Sequence, residues 1–212
     1  MKNFKKNYDF FNNRKGRANF IAKKFNKEIS YSKRILDVGC DYNTLKKNIG
    51  NKVVGVDLYG DPDIKIDFEK EKLAQFKDNE FDLVVCTEVL EHLENFHEMI
   101  DELFRVSNKY ILISLPNCLD IFTKWNIVFH NHIGKFYGLP LSKPEDRHRW
   151  LFGYLDIDNF FELYCQKNNC HVTDKFIHCN YSHSYKGHLM RILAKVLNLN
   201  NAGQSYWILI NK

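Results

Sequence analysis

The 212-residue sequence has no apolar run long enough to span a bilayer. Its N-terminus is basic but lacks an apolar core, so no secretion signal is expected. Six cysteines stand at 40, 86, 118, 165, 170 and 179, and none belongs to a CxxC pair. Two of them fall at the ends of expected buried strands. A reduced, cytoplasmic protein is the simplest account of that usage. Phosphate-cradling glycines are scarce too. A nicotinamide-type loop calls for glycine at 39, 41 and 44, and this chain has Gly39, Asp41 and Thr44. A pyrophosphate sits on a helix N-terminus because it is anionic, and a carboxylate at Asp41 repels it. Hydride transfer is therefore disfavoured.

What is present is concentrated between Arg34 and Asp57. Ile35–Val38 is a short apolar run of the kind a buried parallel strand requires. Gly39 follows at once, where the absence of Cβ allows a tight turn and a close ligand. The spacing predicts a short helix over Thr44–Ile49, capped by Gly50. Val53–Val56 is a second apolar β-branched run, and Asp57 ends it. Strand, glycine turn, helix, strand and acidic residue is the order in which a nucleotide-binding fold holds a ribose hydroxyl pair. S-adenosylmethionine has no phosphate and carries a sulfonium, so Asp41 is tolerable beside it. That tilts the reading toward methyl transfer.

Further on, Phe81–Leu93 reads FDLVVCTEVLEHL. Together with ILDVGC and VVGVD, this resembles the class I S-adenosylmethionine-dependent methyltransferases, in particular the small type-11 branch. The likeness covers roughly Lys33–Pro116 at motif level, and beyond that only the order of elements. It departs from the family at Asp41 and Asn43, where glycine is usual. The resemblance implies an α/β fold, a Rossmann-like three-layer sandwich with a mostly parallel seven-stranded sheet and an antiparallel last strand. It implies S-adenosyl-L-methionine as cofactor, held by Asp37, Gly39, Cys40, Asp57, Leu58, Asp67, Phe68, Thr87 and Glu88. Asp67 and Phe68 match the position that reads the adenine, unless Asp67 is an ordinary helix cap. Thr87 and Glu88 fall at a strand's carboxyl end, where open α/β sheets bind ligands.

Charge is uneven. Residues 1–34 carry a net +9 of the chain's +5, which leaves the rest mildly acidic. Residues 1–16 read as a flexible basic arm and 17–212 as the methyltransferase domain. The arm is either a solvated terminus or an attractor of phosphate groups or an anionic surface. A nucleic-acid enzyme more often carries its basic surface around the cleft, so nucleic acid is not the expected partner.

Arg17–Ile29 has Phe20, Ile21 and Phe25 spaced for one helical face. Ile64–Phe68, Leu83–Cys86, Tyr110–Leu115, His171–His178 and Ser205–Ile210 read as further strands. Phe96, Met99, Ile100, Leu103 and Phe104 form one apolar helical stripe. Residues 117–150 are long for a connection and read as a lid or substrate insertion. Within it, Asn117, Trp125, Tyr137, Arg147, Arg149 and Trp150 are candidate acceptor contacts, suited to an anionic or sugar-like group. The alternative is a capping and salt-bridge cluster. His92, His130, His132 and His148 are candidate bases, needed only if the acceptor loses a proton. His92 reads equally well as a packed histidine. Cys165, Cys170, His171, His178, Cys179, His183 and His188 match no zinc spacing, and no metal site is expected. Lys186–Leu197 is a basic amphipathic helix that packs on the domain or touches a membrane surface.

The favoured function is methyl transfer to a small polar or anionic acceptor, O-methylation of a sugar or glycan precursor among them. A non-catalytic partner subunit, suggested by Asp41, and a nucleic-acid methyltransferase are the alternatives.

Overall fold

The computed structural model describes residues 4–134, 136–142, 147–182, 184–196 and 202–212. Eight strands form one sheet: β1 (Lys6–Asn7), β2 (Ile35–Val38), β3 (Val53–Asp57), β4 (Ile64–Lys65), β5 (Phe81–Thr87), β6 (Ser107–Pro116), β7 (His171–His178) and β8 (Ser205–Asn211). Their spatial order is β1-β7-β8-β6-β5-β2-β3-β4. All neighbours are parallel except β8, which runs antiparallel to both β6 and β7. The helices are α1 (Arg14–Lys24), α2 (Asn26–Tyr31), α3 (Thr44–Ile49), α4 (Phe96–Val106), α5 (Ile121–His130), α6 (Tyr154–Asn168) and α7 (Tyr185–Val196).

Three layers follow from the two-residue alternation of side chains along each strand. On one face, Leu36, Val84, Ile111, Ile113 and Ile208 pack against Met99, Ile100 and Leu103 of α4 and Ile157 and Phe161 of α6. On the other, Ile35, Leu83, Val85 and Leu112 pack against Ala18 and Ile21 of α1, Ile29 of α2 and Leu45 of α3. The central strands are covered on both sides, which is why they read as continuous apolar runs rather than alternating ones. The predicted α4 stripe is buried as expected. Trp207 on β8 is fully buried and stacks on Phe176 with ring centroids 6.0 Å apart.

Two elements differ from expectation. The leading arm is not loose between residues 4 and 13. Lys6 and Asn7 pair with Ile177 and His178, making the eighth strand. Phe4 is buried edge-on against Tyr154 and Tyr206, and Phe11 stacks on His178 at 4.6 Å. The backbone of Phe11 and the side chain of Asn180 exchange two hydrogen bonds of 3.0 and 2.7 Å. Aromatic burial thus fixes a segment that its lysines alone would leave in solvent. The second difference is the helix expected over Arg17–Ile29. It starts earlier, at Arg14, where the Asn13 side chain caps it by accepting from Gly16 N at 2.8 Å. It then breaks at Phe25, whose ring is buried.

Candidate functional site

The carboxyl ends of β2, β3 and β5 converge on a cleft roofed by α1. Gly39 follows β2 with φ 78°, and a Cβ there would stand 2.2 Å from Val89 Cγ2. Glycine is therefore required on two counts, conformation and space. Asp41 and Asn43 also adopt left-handed φ, at 52° and 53°, which short polar side chains tolerate best. The backbone N–H of Asp41 donates to Asp57 Oδ2 at 2.8 Å, and that of Tyr59 donates to Asp57 Oδ1 at 3.1 Å. Asp57 thereby ties the glycine turn to the end of β3. The carboxylate of Asp41 is ion-paired with Arg14 of α1. The charge that departs from the family pattern thus has a partner within this chain.

Asp37 is buried beneath the turn and lines a small hollow with Gly39, Cys40, Thr87 and Arg17. Burial pushes its carboxyl up to about 7, although Arg17 draws it down and Asp57 adds to the rise. Leu58 is partly exposed beyond Asp57. Asp67 pairs with Lys70 at 2.8 Å on the surface and also accepts from Glu69 N at 3.1 Å. Phe68 is buried in the core.

Beside this hollow lies a larger cavity of about 450 Å³. Arg14 and Arg17 of α1 line it together with Glu88, Glu91, His92 and His148. Glu88 has φ 58° and accepts from Ser114 Oγ at 2.9 Å. Burial raises its pKa, against the pull of Arg17 and the Ser114 hydrogen bond. Glu91 is 1% exposed, and burial together with the neighbouring Glu88 holds its pKa well above the ordinary range. His92 sits on a 3-10 turn, Leu90–His92, with its Nδ1 3.2 Å from the Arg147 carbonyl. The His148 ring meets the His92 ring edge-on at 4.8 Å and has its Nδ1 3.0 Å from the Tyr137 hydroxyl. That hydroxyl donates to the Trp150 carbonyl at 2.8 Å and lies 2.6 Å from Cys118 Sγ.

The structure therefore gathers Asp37, Gly39, Cys40, Thr87, Glu88, His92 and His148 along one cleft, with Tyr137 behind His148. It does not bring in the others of the insertion. His130 and His132 are exposed at and beyond the end of α5, and Trp125 projects from α5 against Phe129. Asn117 is buried and spends its amide on Gly203 O and Tyr154 N. Arg149 pairs with Glu94 at 2.6 Å. Trp150 donates its indole N–H to Leu93 O and lines a separate apolar cavity of about 150 Å³ with Phe96, Phe152 and Phe160. His183 lies outside the described residues. Arg14, Arg17 and Glu91 are cleft residues that the sequence reading passed over. The +9 of the leading segment was the signal for the two arginines, and EVLEHL for Glu91.

A glycine turn ending one strand, an acidic residue ending the next and a cleft on the carboxyl edge of a sheet with one antiparallel strand define a class I S-adenosylmethionine-dependent methyltransferase fold. The family model described as a methyltransferase domain matches residues 12–174, and the chain belongs to that family. A methyltransferase of Archaeoglobus fulgidus described as SAM-dependent superposes with a TM-score of 0.59 at 18% identity, covering 93% of this chain and 94% of that one. The magnesium protoporphyrin IX methyltransferase of Synechocystis PCC 6803, solved with bound SAH, gives 0.53 at 14% identity over 96% and 90%. In sequence, 80 residues are 38% identical to the ubiquinone biosynthesis O-methyltransferase of Dechloromonas aromatica. That match covers 30% of this chain and about a third, 34%, of the curated relative. Among the described residues no helix is long and apolar enough to cross a membrane.

The residues present fit S-adenosylmethionine. At Gly39 the missing Cβ is what lets the turn pack against Val89, and the hollow beneath it is lined by Asp37, opposite in charge to a sulfonium and an ammonium, beside Arg14 and Arg17.

Proposed function

We propose that this enzyme methylates a hydroxyl oxygen of a small acceptor bound in the cavity walled by Glu88, Glu91, His92 and His148. The observation that carries the reading is the composition of that wall. Two carboxyl groups and two imidazoles offer hydrogen-bond acceptors to a donor O–H, beside the guanidinium groups of Arg14 and Arg17 on the same cavity. The sugar and anion reading rests on Arg147, His148, Arg149 and Trp150 and on the basic arm; of these, Arg149 and Trp150 have their polar groups engaged with Glu94 and Leu93, while His148 and the arm's Arg14 line this cavity. The partial relative, named for O-methylation, points the same way.

When bound, the cofactor supplies a methyl group on a sulfonium, a leaving group that needs no further activation. The protein's work is alignment and exclusion of water. Asp37 faces the cationic end, and the turn at Gly39 allows the backbone to approach. Asp57 and Leu58 receive the ribose, Asp67 the adenine, and Thr87 and Glu88 the methionine end, while Phe68 backs the segment from the core. His92 and His148 hold the acceptor O–H and take its proton. Tyr137 keeps the His148 ring in place. Asp41 does not weaken this reading, because Arg14 offsets its charge.

The test is incubation of the purified chain with cofactor and a panel of phenols, catechols, sugars, amines and carboxylic acids, with the demethylated cofactor read by mass spectrometry. Turnover with hydroxyl acceptors is expected. Turnover with amines or carboxylic acids alone overturns the hydroxyl assignment.

A further inference from the structure

We propose that Glu91, His92 and His148 form a binding site for one divalent transition-metal ion in the acceptor cavity. A ligand atom from each of the three lies within 4.8 Å of the other two. Ligands around an ion at ~2.1 Å stand roughly 3.4 Å apart. A side-chain movement of about an ångström closes the set, well within rotamer adjustment.

Three further observations point to a cation. First, Glu91 is 1% exposed, and its Oε2 has no hydrogen-bond partner. A buried carboxylate oxygen left unpaired is costly, and a metal ion satisfies it. Second, both imidazoles are held from behind. The Arg147 carbonyl only accepts, so His92 Nδ1 carries the proton and Nε2 carries the lone pair. That Nε2 lies 3.8 Å from Glu91 Oε1. The Tyr137 hydroxyl donates to the Trp150 carbonyl, so it accepts from His148 Nδ1, and the His148 lone pair is again on Nε2. Backing of this kind fixes tautomer and ring direction in metal-binding histidines. Third, the main chain already joins the two halves of the site, since Arg149 N donates to Glu91 O at 2.7 Å.

The donor set is two imidazoles and a carboxylate, without thiolate. It suits Mn²⁺, Fe²⁺, Co²⁺ or Zn²⁺ and is poor for Ca²⁺ or Mg²⁺. Three protein ligands leave coordination positions open toward the cavity. The ion's use, unlike its binding, rests on the hydroxyl reading above. An acceptor oxygen in an open position loses its proton more readily. With the ion bound, both Nε2 lone pairs face the metal, so the proton passes to solvent or to Glu88 in place of the histidines, the new C–O bond forms as the S–CH₃ bond breaks, and the demethylated thioether leaves.

The experiment is titration of the chelator-treated 212-residue chain with Co²⁺, followed by its visible absorption, without cofactor or acceptor. One equivalent should bind with an intensified band of reduced coordination number. His92→Asn and His148→Asn should each weaken binding at least 30-fold, and Tyr137→Phe about 10-fold, while the exposed-site control His171→Asn leaves it unchanged. Thermal melts and titration with SAH, which does not require the ion, show whether each variant is folded. Absence of a 1:1 band, or equal affinity in the wild type and in folded His92→Asn and His148→Asn, overturns the site. If Co²⁺ binds as described but methyl transfer to a hydroxyl is indifferent to chelation, the site stands and its role in activating the acceptor falls.

Discussion

Asp37 provides a quantitative handle on cofactor binding. Its carboxyl is raised from 3.8 to about 7, chiefly by burial. The charged groups that act on it are Arg17 from α1, which lowers the value, and Asp57 from the end of β3, which raises it, and Arg14 lines the same hollow. The uncharged walls are Thr44, Leu45 and Thr87. A cofactor bearing a sulfonium and an ammonium binds the carboxylate form, so affinity should follow the ionised fraction. That fraction is about 0.1 at pH 6 and about 0.9 at pH 8, which makes affinity rise roughly ninefold across the interval. Near pH 7 each binding event should release about half a proton. Calorimetric titration with S-adenosylmethionine in two buffers of different ionisation enthalpy measures both quantities. Stability of the unliganded protein should move the other way. The folded-state pKa lies above the unfolded value, so the folded state binds the extra proton between pH 4 and 7, and stability is lost as pH rises through that window. Asp37→Asn should flatten both profiles and weaken cofactor binding at pH 8. A wild-type affinity constant from pH 6 to 8 would refute the reasoning, and so would a ninefold slope that persists in Asp37→Asn.

Other consequences are simpler to state. Gly39→Ala forces a Cβ onto Val89 at a left-handed φ, so cofactor affinity should fall at least tenfold while the melting temperature drops only a few degrees, both readable by thermal shift with and without ligand. Trp207→Ala empties the aromatic stack with Phe176 and Phe25 and should cost about 3–5 kcal/mol by urea denaturation. Asp158→Asn removes the shared partner of Lys175 and Tyr206, both 2.6 Å from Asp158 Oδ1. It should destabilise by roughly 3–5 kcal/mol, and a loss under 1 kcal/mol in chemical denaturation would show that the pair is not desolvated.

How far the sequence could be read depends on how local each determinant is. The strands β2, β3, β5 and β6 announce themselves because burial on both faces demands consecutive apolar residues, and the α4 stripe because one-sided burial imposes a helical period. The turn at Gly39 and the strand end at Asp57 were legible for the same reason: their conformation and contacts are set locally. β4 was visible in IKIDF but came out shorter, at Ile64–Lys65, because pairing with β3 ends at Asp57. β1 could not be read this way. Two residues carry no period, and their partners, Ile177 and His178, are about 170 positions away. The clue was compositional, since Phe4 and Phe11 among lysines are expensive to leave in water. Counting charge without placing the rings made a loose arm out of a segment that aims Arg14 and Arg17 at the cleft. The insertion poses the same problem more sharply. Histidines 130, 132 and 148 look equivalent in sequence, and what separates them is a contact 55 residues long, from His92 to the Arg147 carbonyl. Active-site chemistry in this fold is assembled across such distances. The motif EVLEHL therefore marks which edge of the sheet carries the cleft, and the chain returning at 147–150 brings His148 to it.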